Sequence, residues 1–197
     1  MEFLPLVSAS SGERTGVVLP RHEVKSTHAW CQTTNIYILN QHGHLLCHQR
    51  SQQKDSLPGV WMTHLGGHVG VDETFETNAQ KEVHEEAGIR VDASQLLHWR
   101  TTKIDRAHVW VREFALAIDD REHTLIPQPG EVDAFRWMSI HDILREHQET
   151  PASWCAGTHN LFVEYHCLRA ALTLAQTIGI IQPPTALHAW HPITLPT

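Results

Sequence analysis

The stretch Gly67-His-Val-Gly-Val-Asp-Glu-Thr-Phe-Glu-Thr-Asn-Ala-Gln-Lys-Glu-Val-His-Glu-Glu-Ala-Gly-Ile89 decides how the chain is read. Its glycines bracket a helix. Asp72 or Thr74 is placed to cap the helix start, and Gly88 to end it in the left-handed conformation that glycine adopts at least cost. About three turns fit between them. Phe75, Ala79 and Val83 recur there at a spacing of four as one apolar stripe. Glu82 and Glu86 lie within roughly 40° of each other around the helix, and Glu85 falls on the other side of Glu82. The three carboxylates border the buried face and are expected to point into a cleft.

Like charges at these spacings repel, and the last turn of a helix already carries partial negative charge. Lys81 can pair with Glu85, but one ammonium leaves the set negative. A hard divalent cation, Mg2+ or Mn2+, compensates most simply because it prefers oxygen ligands. The alternative is an acidic face turned to solvent.

The surrounding spacing favours the cation. Gly67, five residues, Glu73, seven residues, then Lys81-Glu82-Val83-His84-Glu85-Glu86-Ala87-Gly88-Ile89 resembles the Nudix box at every defined position but one, Lys81 standing where the family has arginine. The resemblance covers residues 28–146. It implies an α/β/α sandwich with a mixed sheet. It also implies hydrolysis, with Mg2+ or Mn2+, of a nucleoside diphosphate linked to another moiety or of a similar phosphoanhydride. Carried over residue by residue, Glu82, Glu85 and Glu86 are the implied metal ligands and catalytic groups, one of them serving as base. Gly67 is implied to shape a loop that offers a backbone carbonyl to the metal, and Glu73 and Lys81 to form a supporting pair. Glu131 stands in a loop from which some relatives supply a further acidic group.

Within the superfamily, Arg50, Lys54, Trp61 and Gly67-His68 resemble the isopentenyl-diphosphate isomerase branch and its hydrolase-like relatives. The isomerase uses a cysteine just before the Gly-His pair, where this chain has Gly66, so isomerisation is the weaker reading. A non-catalytic nucleotide-binding module is another alternative, although such modules often lose box carboxylates that this chain keeps. Arg50, Lys54, Arg106 and Arg112 are candidates for phosphate contacts, and Trp61, Trp99 and Trp110 for stacking on a base.

The remaining composition bounds the reading. A chain of 197 residues, 41% hydrophobic and 19% charged, suits one domain with a real core. A net charge of −7 implies no basic face and disfavours a nucleic-acid binder, so a small-molecule diphosphate is the expected partner. Cys31, Cys47, Cys155 and Cys167 have no CxxC spacing and read as reduced core thiols. The 17 histidines form no second set of clustered ligands, so no zinc site is expected. No apolar run approaches the roughly 18 residues that span a bilayer. The first residues lack a basic leader, and a cytoplasmic protein without membrane contact is expected.

Along the chain, residues 1–27 read as an irregular extension with an edge strand at 17–19, residues 28–150 as the Nudix domain, and 151–197 as a C-terminal helix and tail packed on it. Strands are expected at 29–39 and 44–49, joined by a hairpin turn at 40–43, and at 60–65, 96–104, 107–118 and 132–138, with a bulge inside 107–118. Ser139 and Asp142 form a capping pair for a short helix. Leu161, Phe162, Tyr165, Leu168, Leu172, Ala175 and Ile178 have helical spacing over residues 159–178, with a stop at Gly179. That stripe is core or a homodimer contact.

Overall fold

A computed structural model describes residues 1–155 and 161–177. The chain opens with β1 (Phe3–Val7) and β2 (Arg14–Pro20), a separate antiparallel hairpin, followed by α1 (Arg21–Thr27). The irregular start expected from the sequence is therefore corrected. Pro5 interrupts the strand signal of β1, yet a two-stranded hairpin tolerates proline. With seven residues and only Val24 buried, α1 is too short to show a period.

Then come β3 (Cys31–Asn40), β4 (Leu45–Arg50), β5 (Trp61–Met62), α2 (Phe75–Ala87), β6 (Leu97–Ile104), β7 (Val109–Ile118), β8 (Val132–Met138), α3 (Ile140–Glu149) and α4 (Leu161–Thr177). The main sheet runs β5-β4-β3-β7-β6, with β8 also paired to β4. It is mixed: β3 and β7 are parallel from Cys31 opposite Val109 to Asn40 opposite Ile118, while β4 with β8 and β6 with β7 are antiparallel.

Alternation along β3 sends its side chains to two cores. Ile36 and Ile38 pack with Ala79 and Val83 of α2, and Tyr37 and Leu39 pack with Ile143 of α3 and Leu168 and Leu172 of α4. The sheet is thereby sandwiched between helices, an α/β/α arrangement. The α4 stripe is core: Leu161, Tyr165, Leu168, Leu172 and Ala175 are buried, and the Tyr165 hydroxyl donates to the Gly43 carbonyl at 2.6 Å. The Phe162 side chain, Ile178, Gly179 and the tail beyond lie outside the described residues.

Two strand expectations are corrected. The strand expected at 60–65 is only Trp61–Met62, because Leu65 leaves β4 to pair with Ile36 of β3. The bulge lies between His98 and Arg100 of β6 rather than in β7. Because β7 is buried on both faces from Glu113 to Ile118, its hydrophobic run does not alternate as a half-exposed strand would. The thiol expectation holds for Cys31 and Cys47, which are buried, whereas Cys155 is half-buried and Cys167 is exposed; all four are free. Among the described residues no helix is long and apolar enough to cross a membrane.

Gly88 ends α2 at φ +74°, and a Cβ there would lie 2.9 Å from Ile126 Cβ. Gly88→Ala is expected to cost at least about 1–2 kcal/mol in urea unfolding, from left-handed backbone strain alone. An unchanged midpoint would contradict this. His48 of β4 is 3% exposed, and burial, with His64 and Arg50 nearby, pushes its pKa down from 6.5 to about 3. The folded protein keeps this ring neutral while the unfolded chain protonates it. Its contribution is present above pH 6.5 and is lost as pH falls towards 3. Thermal melts of His48→Gln should fall less steeply than wild type between pH 6.5 and 4, and parallel slopes would contradict the assignment.

Candidate functional site

The site exists because β3 and β4 part. Their only register pair is Leu39 with Leu45, which leaves the first half of β3 with a free edge. The segment from Leu65 to Val69 takes that edge. Ile36 and Leu65 exchange both backbone hydrogen bonds (2.8 and 3.0 Å), Thr34 N–H donates to the Gly67 carbonyl (2.9 Å), and Val69 N–H donates to the Gln32 carbonyl (2.9 Å).

The two glycines in this segment do different work. Gly66 has φ +147°, and a Cβ there would fall 2.0 Å from the Thr34 carbonyl oxygen. A Cβ on Gly67 would fall 2.4 Å from Glu82 Oε1, so glycine at this place admits the carboxylate against the backbone. The Gly67 carbonyl, expected to face a metal, is committed through one lone pair to Thr34 N–H, leaving the second for a cation.

Thr74, not Asp72, caps α2. Its hydroxyl accepts from Thr77 N–H (3.1 Å), and the Thr77 hydroxyl accepts from Thr74 N–H (2.8 Å). Just before the cap, the Glu73 carboxylate accepts from Gly70 N–H (2.8 Å) and Asn78 Nδ2 (2.8 Å) and lies 3.0 Å from Lys81 Nζ. Burial would raise the Glu73 pKa, but the Gly70, Lys81 and Asn78 donors outweigh it and hold the group below its ordinary value. Lys81 is thus paired with Glu73 and not with Glu85, correcting that expectation.

Fully buried Asn78 is a residue the sequence reading missed. It accepts from the Thr34 hydroxyl (2.5 Å), donates to the His68 carbonyl (2.9 Å), and reaches Glu82 Oε1 at 3.4 Å. Its signal was a polar residue beside Ala79, on the apolar side of the helix.

The three glutamates have unequal surroundings. Glu86 is 7% exposed and accepts from Gly66 N–H at 3.2 Å; Glu82 is half-buried; Glu85 is exposed. Burial, then the neighbouring Glu82 and Glu131, push the Glu86 pKa up to about 8 against the pull of Gly66 N–H and Arg50. Burial likewise lifts Glu82 to about 7, with Lys81 opposing and Glu85 and Glu73 adding. The carboxylates are thus short of positive charge.

All three line one cleft of about 450 Å³ together with Gly66, Gly67, Arg50, Lys54 and Glu131. Lys54 Nζ is ion-paired to Glu131 Oε2. Arg21 and Glu2, from the N-terminal segment, also line it and had no signal in the sequence. The other candidates do not reach the cleft. Arg112 pairs with Glu76 (3.1 Å) above the Phe75 ring, Trp61 lies under the Arg136 guanidinium, Trp99 packs against the α4-side core and Trp110 lies under Gly12; Arg106 is exposed.

A divalent cation fits the donor chemistry: carboxylate oxygens, a glycine gap beside one of them, and raised carboxyl pKa values that an added positive charge would relieve. Among the described residues no three His, Cys, Asp or Glu side chains stand close enough together to hold a metal ion between them, so Glu82, Glu85 and Glu86 would have to draw together around one. An open lining suits a hard cation that retains waters and shares its shell with phosphate.

Comparison with known proteins agrees with this geometry. Nudix hydrolase 3 of Arabidopsis thaliana is 36% identical over 86 residues, covering 43% of this chain and 11% of that protein. The isopentenyl-diphosphate Delta-isomerase of Corynebacterium glutamicum (strain R) is 28% identical over 133 residues, covering 58% of this chain and 65% of that protein. The chain therefore spans less than two thirds of the length of either relative. The crystal structure of DR0079 from Deinococcus radiodurans superposes with a TM-score of 0.68 at 21% identity, over 86% of this chain and 99% of that one, and shows the same fold. The NUDIX domain family model matches residues 29–156, spanning the box, the parted strands and all of the cleft lining but Glu2 and Arg21, and the chain belongs to that family.

Proposed function

We propose that the chain is a phosphoanhydride hydrolase that uses Mg2+ or Mn2+ to cleave a nucleoside diphosphate linked to another moiety, or a similar diphosphate. The observation behind this reading is one cleft that gathers Glu82, Glu85 and Glu86 beside Gly67 and also presents Arg21, Arg50 and Lys54. Acids alone would suit a cation, and bases alone an anion. Both together suit a phosphate ester bound through a metal.

Glu82, Glu85 and Glu86 would hold the cation, with the second lone pair of the Gly67 carbonyl as a further donor. When bound, the cation offsets phosphate charge and makes water easier to deprotonate. Arg50 and Lys54 would take the phosphate oxygens, and Arg21, paired with Glu2, lines the same cleft. Water oxygen bonds to phosphorus as the anhydride P–O bond breaks and the leaving phosphate departs with that oxygen. One carboxylate of the set receives the proton. Glu73 and Lys81 support the arrangement from behind Glu82. Glu131, paired with Lys54, is the further acid of this cleft. A small-molecule diphosphate, rather than nucleic acid, is the partner that a cleft of this size accepts.

Isomerisation is disfavoured by Gly66. A side chain there would sit 2.0 Å from the Thr34 carbonyl, so the cysteine of the isomerase cannot be accommodated in this backbone. Allylic product from isopentenyl diphosphate, detected by mass spectrometry, would overturn that exclusion.

The test is chromatographic detection of the nucleotide and phosphomonoester or pyrophosphate products from ADP-ribose, NADH, dinucleoside polyphosphates, oxidised and ordinary dNTPs and CoA, with Mg2+ or Mn2+. At least one is turned over, chelator stops it and added metal restores it. Glu82→Gln and Glu86→Gln each lower the rate by about a hundredfold or more. No turnover across the panel, with Glu86→Gln indistinguishable from wild type, would refute the proposal. Lys81→Arg, which restores the planar fork, should retain or raise activity; a loss above about tenfold would refute the supporting role of Lys81.

A further inference from the structure

We propose that Arg14 is a positioning residue for the metal-binding loop, which makes the N-terminal hairpin, outside the family-matched segment 29–156, a working part of the site. This rests on the hydrolase reading above. Arg14 stands at the start of β2 and reaches across to the loop before α2. Its Nη1 donates to the Val71 carbonyl (2.6 Å), and its Nη2 donates to the carbonyls of Gly70 (3.0 Å) and Glu73 (2.6 Å). One planar guanidinium thereby fixes three carbonyls within four residues of chain.

The loop is held from the other side by its own side chain, since Glu73 accepts from Gly70 N–H. Glu73 in turn holds Lys81 and Asn78, and Asn78 touches Glu82. A continuous set of contacts runs from Arg14 through residues 70–73 to the first carboxylate of the cleft. The hairpin that carries Arg14 is itself docked. Gly12 lies so close on the Trp110 indole that a Cβ there would be 2.9 Å from Cδ2, Gln32 Nε2 donates to the Gly12 carbonyl (2.8 Å), and Val7 N–H donates to the Trp30 carbonyl (2.9 Å). Lysine could not replace the contact in full. An ammonium is a point donor on a flexible stem, whereas three separate carbonyls need the fixed fork of a guanidinium.

The test compares wild type with Arg14→Ala and Arg14→Lys in three measurements. These are amide hydrogen exchange in metal-free protein, Mn2+ affinity by titration calorimetry, and thermal melting as a control on the fold. With each charge-assisted bond worth roughly a factor of ten, Arg14→Ala should speed exchange at residues 70–74 by about tenfold or more. Amides of β3 and β7 should stay at wild-type rates, and Mn2+ affinity should fall by about tenfold. Arg14→Lys should lie between. Unchanged loop exchange would overturn the proposal, as would a uniform rise through β3 and β7, or wild-type Mn2+ affinity in Arg14→Ala. Local loosening with weaker Mn2+ binding, in a protein that turns over no substrate, would support the positioning role and sink the hydrolase reading alone.

Discussion

The structure depends on one close approach, the backbone at Gly67 against the carboxylate of Glu82. A methyl group there would overlap Oε1, so the Glu82 carboxylate would have to swing away from the loop. Everything upstream arranges that meeting. β3 and β4 pair only at Leu39 and are apart along the first half of β3, the 65–69 segment fills the vacated edge of β3, and Gly66 turns the chain in a conformation that other residues rarely adopt. Everything downstream uses it. Val83 and Ala79 bury one side of α2 in the core, which leaves Glu82 and Glu86 at the rim of the cleft.

This arrangement runs against ordinary electrostatics. Two carboxylates, Glu86 buried and Glu82 half-buried at the cleft wall, have pKa values lifted to about 7 for Glu82 and about 8 for Glu86. The basic groups nearby are mostly spoken for: Lys81 by Glu73, Lys54 by Glu131 and Arg21 by Glu2 at 2.8 Å. A protein that only needed a stable fold would gain by replacing such acids. Their retention makes sense if a cation and an anionic ligand enter together, each supplying the charge that the other and the cleft lack.

Much of this was legible in the sequence wherever two periodicities agreed. The helical repeat of Phe75, Ala79 and Val83 and the fixed spacing from Gly67 to Ile89 both pointed to α2, and the long strands β3, β6, β7 and β8 announced themselves by β-branched and aromatic runs. What stayed hidden was structure made by contact between distant residues. The pairing that shortens β5 to Trp61–Met62 is a competition between Ile36 and β4 for Leu65, invisible in local propensity. Thr74 caps the helix, and Thr77 returns its hydrogen bond, a pairing that choosing between two capping residue types does not reveal. Arg14 and Arg21 carry no pattern at all. The Gly70–Glu73 carbonyls that Arg14 meets and the cleft glutamates that Arg21 faces lie far along the chain, and a proline-interrupted hairpin with a seven-residue helix gives little warning that it will fold onto the site. The tryptophans failed as base-stacking candidates for a related reason: large apolar rings are most often taken up by the fold itself, here beneath Arg136, Arg100 and Gly12.

The central claim is that Glu82, Glu85 and Glu86 line a seat for a divalent cation. The most direct measurement is anomalous scattering from crystals soaked in excess Mn2+. A single strong manganese peak is expected in the cleft, within coordination distance of these carboxylates and beside Gly67. Crystals whose cleft shows no such peak, with the three side chains turned away from one another at saturating Mn2+, would contradict it.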